Sequence, residues 1–400
     1  MNAAPPVGGG GSQQGTSAGR DRKGVAVPGV CDHRAEGRPG SVASGARPLG
    51  DDTTRRGPRV FTHRNAKFAY WALARNPAAA LHMARVLLRA ARSAVLLWAR
   101  VRWSRDRRPV LAIALLEHIG DIVAAEPIAR LARETYPGHR VFWITRAANQ
   151  PLVRTYAAVD RVVTVGCLTE WMLLWRLGLT DIVWDLHVKD RICDTCAIPL
   201  QKRDGLPDLG TYYSFGNLLD VECLCAGLPK LAAGPRINPP AGARAAIDAI
   251  RLPGRFIAIH CRSNDPRRDW PADHWRRLVG RILETWDIDV IEVGMRPIVA
   301  TAAAERVRNL CGTLSILETA EVIRRAALFV GIDSGPAHLA NAVGTPGVLL
   351  LGDYVNFRRY MPYSGGYQDG RNADVLYAEG TVAELEVETV FTTLARRLPQ

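Results

Sequence analysis

The segment from Asp333 to His338, with sequence DSGPAH, has the residue types of an anion-binding turn. It follows a short apolar run, and Pro336 suits the first turn of a helix, where an N–H is dispensable. A helix N-terminus attracts anions through its free N–H groups and its dipole. A plain capped turn explains Ser334 but not the added Asp333, Gly335 and His338. The pattern predicts a phosphate-binding loop.

A second polar cluster, at residues 260–271, also lies between an apolar run and a helical pattern. It contains Arg262, Ser263, Arg267 and Arg268. The planar guanidinium group of arginine pairs bidentately with phosphate oxygens, so this loop could neutralise a diphosphate. A solvated basic loop is the ordinary alternative.

A third position is Asp121, in the turn that follows the apolar run 110–116. Gly120 and His118 precede it. A carboxylate at this point could act as a general base, or it could simply cap the helix that follows. Spacing alone leaves both interpretations open.

Eight cysteines are irregularly spaced, which argues against a disulfide framework and for a reducing compartment. Cys193-x-x-Cys196 and Cys223-x-Cys225 could together form a four-thiolate zinc site. Neither pair lies in a glycine-rich knuckle, so buried thiols in helical segments are the preferred interpretation, and no metal site is predicted.

The polar residues near positions 121, 268 and 333 can form one site only if the fold brings them together. The hydrophobic pattern predicts strands that alternate with helices. In the first half, strands are predicted at Val110–Leu116, Val141–Thr145, Arg161–Val165 and Asp181–Leu186, and helices at Ile122–Thr135 and Phe215–Ala226. Such alternation indicates a parallel sheet with helices on both faces.

A stretch rich in proline and glycine, residues 227–254, predicts a linker, after which the alternation restarts. Strands are predicted at Phe256–Cys261, Asp289–Val293, Leu328–Ile332 and Gly347–Leu351, and helices at Pro271–Thr285, Ala300–Arg308, Glu318–Ala326, Pro336–Val343 and Val382–Leu398. Two doubly wound, Rossmann-like α/β domains facing a cleft are expected, at 109–235 and 236–400. The C-terminal helix is expected to pack back on the first domain.

The positive charge of the chain is concentrated at its start. Residues 1–108 carry 20 Lys and Arg against 6 Asp and Glu, whereas the remainder carries 32 against 33. Residues 1–58 are rich in Gly, Pro and Arg, which predicts a disordered tail without a secretory signal. No apolar run is long enough for a conventional membrane-spanning helix.

Within 59–108, residues 66–103 combine Trp and Leu with many arginines and almost no acid. This pattern predicts one or two amphipathic helices, interrupted near Pro77, that lie on a membrane surface. A helix packed on the protein's own core, or one that binds nucleic acid, are the alternatives.

The three polar positions together resemble glycosyltransferase family 9, the heptosyltransferase-like enzymes, over residues 109–398. The matching motifs are Leu115-x-x-x-Ile119-Gly120-Asp121-Ile122-x-x-x-x-Pro127, Arg268-x-Trp270-Pro271-x-x-x-Trp275 and Asp333-Ser334-Gly335-Pro336-x-His338-Leu339-Ala340-x-Ala342-x-Gly344-x-Pro346. All three occur in the family's order.

The resemblance implies a GT-B fold and inverting, metal-independent sugar transfer with no cofactor. It matches Asp121 to the catalytic base and matches Arg268, with the donor loop Asp333, Ser334, Gly335 and His338, to the diphosphate site. Two departures leave the identity of the donor open. The loop with Arg262 and Ser263 stands where the family more often has a Gly-Ser phosphate loop, and Gly294 is followed by Met295, where the family often has an acidic residue. These four positions are possible donor contacts, and Gly120, His118 and His187 are possible acceptor-side residues.

The expected function is transfer of a sugar, with heptose as one candidate, from a nucleoside-diphosphate sugar to a lipopolysaccharide-core or lipid-linked glycan. The expected location is cytoplasmic, on the inner face of the bacterial inner membrane, without a nucleic-acid partner. Two rivals remain: a nucleotide-sugar epimerase of the same architecture, and a non-catalytic, membrane-associated glycan-binding protein. A nicotinamide oxidoreductase is disfavoured because no Gly-x-Gly-x-x-Gly follows a strand.

Overall fold

The computed structural model describes residues 77–299 and 305–398, and its strands form two parallel sheets. The first sheet has the order β3-β2-β1-β4, and the second has the order β10-β9-β8-β5-β6-β7. The strands are β1 Val110–Ala114, β2 Arg140–Thr145, β3 Arg161–Thr164, β4 Ile182–Asp185, β5 Phe256–His260, β6 Asp289–Glu292, β7 Val307–Asn309, β8 Leu328–Ile332, β9 Gly347–Leu351 and β10 Ala373–Tyr377.

Eleven α-helices flank these sheets within the described residues. They are α1 Pro77–Arg102, α2 Ile119–Ala124, α3 Glu126–Thr135, α4 Gln150–Val153, α5 Leu168–Arg176, α6 Leu218–Cys225, α7 Ala241–Ile250, α8 Ala272–Thr285, α9 Ile316–Arg325, α10 Gly335–Val343 and α11 Val387–Arg397. The predicted α/β architecture of two doubly wound sheets is confirmed.

Each sheet reverses its strand order beside a central strand. In the first sheet β1 lies between β2 and β4, with Leu111 opposite both Val141 and Ile182. In the second sheet β5 pairs with β8, with Ile257 opposite Leu328. The residues of β1, β5 and β8 are all buried, as strands covered by helices on both faces must be. Ligands of such sheets bind beyond the carboxyl ends of the strands at these reversal points.

The predicted helix Ala300–Arg308 is wrong over its described part. Residues 307–309 form the edge strand β7, which pairs in parallel with β6, with Val290 opposite Val307. Pairing with a neighbouring strand therefore decides the conformation of a segment that has no strong period of its own. Residues 300–304 lie outside the described residues.

The predicted linker 227–254 contains the helix α7, which packs against α9 of the second domain. Pro240, at its N-cap, immediately precedes the helix, and Arg251 ends it in a left-handed conformation with φ of 54°. Prolines and glycines in this stretch therefore surround a helix as well as connecting the two domains.

The C-terminal helix α11 packs against α8 and strands β9 and β10, so the expectation that it packs back on the first domain is wrong. Val390 and Leu394 lie in the core of the second sheet. Strand β10, which the sequence pattern did not indicate, extends this sheet beside β9.

Helix α1 covers one face of the first sheet through Val86 and Leu97, which are buried in its core. Its Ser93 hydroxyl donates to the buried Glu170 of α5 at 2.6 Å. Pro77 is its first residue, as expected for a proline at a helix start. The tail predicted at 1–58 and the predicted helical residues 66–76 lie outside the described residues. None of the described helices combines the length and apolar content needed to cross a membrane.

Candidate functional site

The N-terminal turns of α2 and α10 are in contact, and each helix follows the central strand of its own sheet. A Cβ atom at Gly120 would lie 2.9 Å from Cδ2 of His338, and one at Gly335 would lie 3.3 Å from the side chain of Ile119. Only residues without a side chain allow this approach. Two glycines, one from each sequence motif, therefore join the carboxyl edges of the two sheets.

Asp121 lies in the first turn of α2, immediately after this contact, and its side chain is half-buried. Burial raises the pKa of its carboxyl group to about 7, and the charges of Glu117 and Asp333 act in the same direction. Glu117 is held by an ion pair with Arg191, whose Nε lies 2.7 Å from Oε1. A carboxyl group that titrates near neutral pH has the proton affinity that a general base needs.

Asp333, predicted to bind a diphosphate, is buried, and its carboxylate is occupied by protein groups. The hydroxyl of Tyr360 donates to Oδ2 at 2.8 Å, and that of Tyr363 donates to Oδ1 at 3.3 Å. Nη1 of Arg268 lies 3.4 Å from Oδ2. An anion in this position repels a phosphate, and it also positions the arginine. A direct contact of Asp333 with the diphosphate stays a prediction.

Arg268 lies at the end of a short 3₁₀ helix, Pro266–Arg268, and is mostly buried. Besides Asp333, its guanidinium group donates to Oδ1 of Asn264 at 2.8 Å and lies 4.9 Å from the ring centre of Tyr354. Its Nε is buried without a hydrogen-bond partner among the described groups. A cation held on three sides with an unused donor is a suitable anion ligand.

The donor loop residues Ser334, Gly335 and His338 open α10. Ser334 is the N-cap, but its hydroxyl donates to the carbonyl of Ile332 instead of capping the helix. The ring of His338 is buried against Tyr363, with ring centres 4.8 Å apart, and burial lowers its pKa to about 4. The imidazole is therefore neutral at pH 7, and the anion-binding character of this turn comes from backbone N–H groups and Arg268.

His187, predicted on the acceptor side, is buried and fully engaged. Its Nε2 accepts from the amide of Leu116 at 2.9 Å, and its Nδ1 lies 2.9 Å from Oδ2 of Asp185. Lys202 completes the network, with Nζ 2.7 Å from Oδ1 of Asp185. Both ring nitrogens have partners inside the protein, so a direct acceptor contact would have to replace one of them, and this role stays a prediction. The residue braces β1 against β4.

The other predicted residues lie around the same edge. His118 is an exposed N-cap residue of α2, and Arg262 and Met295 are exposed. Ser263 is used within its own loop, since its amide donates to Asp269 and its hydroxyl to the carbonyl of Asp265, each at 2.7 Å.

Gly294 has a φ of 136°, and a Cβ atom there would lie 2.8 Å from the ring of His260. This glycine is required by the backbone. Its role toward a donor stays a prediction, as do those of Ser263, Arg262 and Met295.

An aromatic cluster lies beside Asp333, and the sequence did not predict it. Tyr212 and Tyr213, after the first sheet, pack on Phe357 and Tyr360 of the second domain, with Tyr213 and Tyr360 ring centres 4.5 Å apart. These residues form no motif, because the two segments are about 150 positions apart and meet only in the fold. They form one wall beside Arg268.

A buried carboxyl group, Glu222 of α6, was also missed. Neither of its oxygens has a hydrogen-bond partner among the described groups. Burial raises its pKa well above the usual range, and the charges of Asp121 and Glu117 add to this effect. Glu222 therefore holds its proton more tightly than an exposed glutamate does, and no sequence signal distinguishes it from a surface glutamate.

Comparison with known proteins finds a family resemblance over part of the chain. Residues 238–368 match the model of glycosyltransferase family 9 (heptosyltransferase). Over 140 residues the chain is 24% identical to lipopolysaccharide heptosyltransferase 3 of Escherichia coli K12. That alignment covers 31% of this chain and 41% of the relative, so the chain spans less than half the length of the curated protein that it matches.

Two solved structures share the architecture. The glycosyl transferase family 9 structure from Veillonella parvula covers 72% of this chain and 97% of its own, with a TM-score of 0.56 and 17% identity. The structure of E. coli ADP-heptose lps heptosyltransferase II covers 72% and 98%, with a TM-score of 0.53 and 16% identity. The chain has the GT-B fold. Its residues 238–368 are similar to glycosyltransferase family 9, over about a third of the chain.

Proposed function

We propose that this protein transfers a sugar from a nucleoside-diphosphate sugar to a glycan acceptor of the lipopolysaccharide-core or lipid-linked type, with inversion at the anomeric carbon. The contact between α2 and α10 carries the proposal, because it sets a carboxyl group of pKa about 7 beside an anion-binding turn and a buried arginine. The relatives' names favour a heptose, carried by ADP in the named E. coli transferase, as the first donor to test.

In this mechanism Asp121 takes the proton of the acceptor hydroxyl as that oxygen attacks the anomeric carbon. The bond from this carbon to the donor diphosphate breaks on the opposite side, and the nucleoside diphosphate leaves with the electron pair. Inversion follows from a single displacement of this kind. His118 and Gly120 flank Asp121 and would line the acceptor side.

The departing diphosphate gains negative charge, which Arg268 and the first-turn amides of α10 would stabilise as preorganised donors. Asp333, Tyr360 and Tyr363 hold the arginine and the turn in place. His338 contributes as a neutral ring against the backbone of Gly120. In this proposal the phosphates need no metal ion, so the rate of transfer should not depend on added Mg²⁺ or Mn²⁺.

Donor binding can be tested by thermal shift with a panel of nucleoside diphosphates and sugar nucleotides. A ligand present at roughly 100 times its Kd stabilises the native state by about 2.7 kcal/mol. Arg268→Ala should abolish most of the shift. Arg267→Ala is the matched control, because that neighbour is exposed, pairs with Asp265 and stacks on the same Tyr354. Equal shifts in the two variants would contradict the role of Arg268.

We also propose that α1 attaches the protein to the cytoplasmic face of the inner membrane. The side of α1 opposite its buried Val86, Ala90 and Leu97 exposes Leu81, Leu88 and Val95. Exposed Arg85 and Arg92 lie beside them on the helix surface. An apolar strip flanked by arginines suits an anionic lipid surface.

Flotation with vesicles containing phosphatidylglycerol tests this attachment. Leu88→Gln combined with Val95→Gln should release the protein from the vesicles. Leu209→Gln, at an exposed leucine outside α1, should not. Retention of the double variant on the vesicles, or a preference for nucleic acid over vesicles, would contradict the attachment.

A further inference from the structure

Three cysteines and one histidine converge beside the first sheet. Cys167 precedes α5, Cys193 and Cys196 lie in the loop after β4, and His82 lies on α1. The three sulfur atoms lie within 4.8 Å of one another. Sγ of Cys196 is 3.7 Å from Nε2 of His82. Three sulfur atoms from two segments thus surround one point, and the imidazole of His82, from a third segment, lies beside one of them.

This spacing fits a tetrahedral zinc ion. Zn–S bonds of about 2.3 Å and Zn–N bonds of about 2.0 Å place neighbouring ligand atoms roughly 3.5–3.8 Å apart. The distance from His82 to Cys196 already has this value, and the sulfur atoms need to approach one another by an ångström at most. The imidazole of His82 must also move toward the other two sulfurs. Three thiols and an imidazole are a ligand set typical of structural zinc sites.

The loop that carries two of the sulfurs is folded as a compact turn. The amide of Ala197 donates to the carbonyl of Cys193, and that of Cys193 donates to the carbonyl of Ile198, each at 2.9 Å. Ala197 has a φ of 53°, an unusual value for a residue with a side chain. The hydroxyl of Thr195 lies 3.4 Å from Sγ of Cys193 and 3.6 Å from that of Cys196. This backbone holds both sulfurs on one side.

The other cysteine pair considered in the sequence belongs elsewhere. Cys223 and Cys225 lie in α6, outside this cluster, and burial raises the pKa of each to about 12. They behave as inert core thiols. Cys167 and His82, which are distant in sequence, take the places that Cys223 and Cys225 would have filled in the four-thiolate alternative.

We propose that Cys167, Cys193, Cys196 and His82 bind one zinc ion in a closed, structural site that fastens α1 and the loop after β4 to the first sheet. The same loop carries Arg191, which pairs with Glu117, and Asp194, which pairs with Arg146. The ion would therefore also steady the surroundings of Asp121. The assignment does not depend on sugar transfer.

The metal content of the full-length protein tests the site. Protein purified without chelator should contain about one zinc ion per chain by elemental analysis. Cys193→Ser and Cys196→Ser should each lower this content at least about tenfold. Cys225→Ser is the control, since that thiol is also buried but lies outside the cluster, and it should leave the content unchanged.

A second measurement keeps the proposal testable if those variants fail to fold. Wild-type protein stripped of metal with a chelator should melt at a lower temperature and regain its stability when zinc is returned. Cobalt in place of zinc should give the visible absorption of a tetrahedral thiolate complex, and His82→Ala should alter it. Native protein that takes up less than about a tenth of an equivalent of zinc would overturn the site. One iron ion per chain would overturn the assignment to zinc.

Discussion

At the scale of residues, the reactivity of Asp121 comes from its surroundings. Burial disfavours the charged carboxylate, and the neighbouring Glu117 adds a like charge. The ion pair between Glu117 and Arg191 partly offsets this repulsion, since it neutralises Glu117 locally. The balance gives a carboxyl group that is about half protonated at neutral pH.

The pH dependence of transfer should follow this group. A base with a pKa of about 7 is inactive when protonated, so kcat/KM should fall about tenfold per pH unit below pH 7 and level off above it. Glu117→Gln removes a like charge and should move the inflection to lower pH. An inflection at the same pH in both proteins would show that Glu117 does not tune the base.

The sequence supports some residue roles better than others. Asp121 and Arg268 stand in motifs, and the structure brings both to the edge where the two sheets meet. The partners of His187 and Asp333 could not be predicted because they lie far along the chain: the Leu116 amide for one and Tyr360 for the other. A hydrogen-bond partner fixed by tertiary structure leaves no local sequence signal.

At the scale of elements, the approach of α2 to α10 depends on glycine. Gly120→Ala introduces a methyl group 2.9 Å from the ring of His338, so the helices must separate. We expect kcat/KM to fall about tenfold or more while the melting temperature changes little, because misplacement of about 1 Å is enough to impair catalysis.

The control for this change is Gly280→Ala. Gly280 lies in α8, and no atom lies within 4 Å of the position its Cβ would take. Both substitutions gain the same helix propensity. Steady-state kinetics should separate them, and equal activity in the two variants would contradict a requirement for close approach.

The network of Asp185, His187 and Lys202 is expected to contribute strongly to folding. Lys202→Met leaves a buried carboxylate without its cation, which should lower the free energy of unfolding by about 3–5 kcal/mol. Lys189→Met is the control, because its partner Asp204 is exposed and solvent screens the pair, so it should leave stability nearly unchanged. Denaturant unfolding measures both, and a loss of similar size in the two would contradict the buried pair.

Elements were predictable where the pattern was strong and local. The buried strands β1, β5 and β8 are continuous apolar runs, and Ser315 with Glu318 forms the capping box that begins α9. Edge strands β7 and β10 were not predicted, because pairing with a neighbouring strand rather than composition determines their conformation. Helix α7 was hidden by the prolines and glycines around it.

At the scale of the whole molecule, the order of the two sheets follows from repeated alternation along the chain. The sequence did not reveal how the domains meet, because that depends on two glycines and an aromatic cluster from distant segments. Helix α1 was expected either on a membrane surface or on the protein's own core. One of its faces packs on the first domain, and the opposite face exposes arginines and leucines.

The central claim is that Asp121 drives transfer of a sugar to an acceptor, and one measurement tests it most directly. Release of nucleoside diphosphate from ADP-heptose is followed with and without a truncated lipopolysaccharide acceptor, for the wild type and Asp121→Asn. We predict acceptor-dependent release by the wild type and a loss of about 10²–10⁴-fold in the variant, with donor-induced thermal stabilisation retained. Near-normal release by the variant, despite donor binding, would contradict the account.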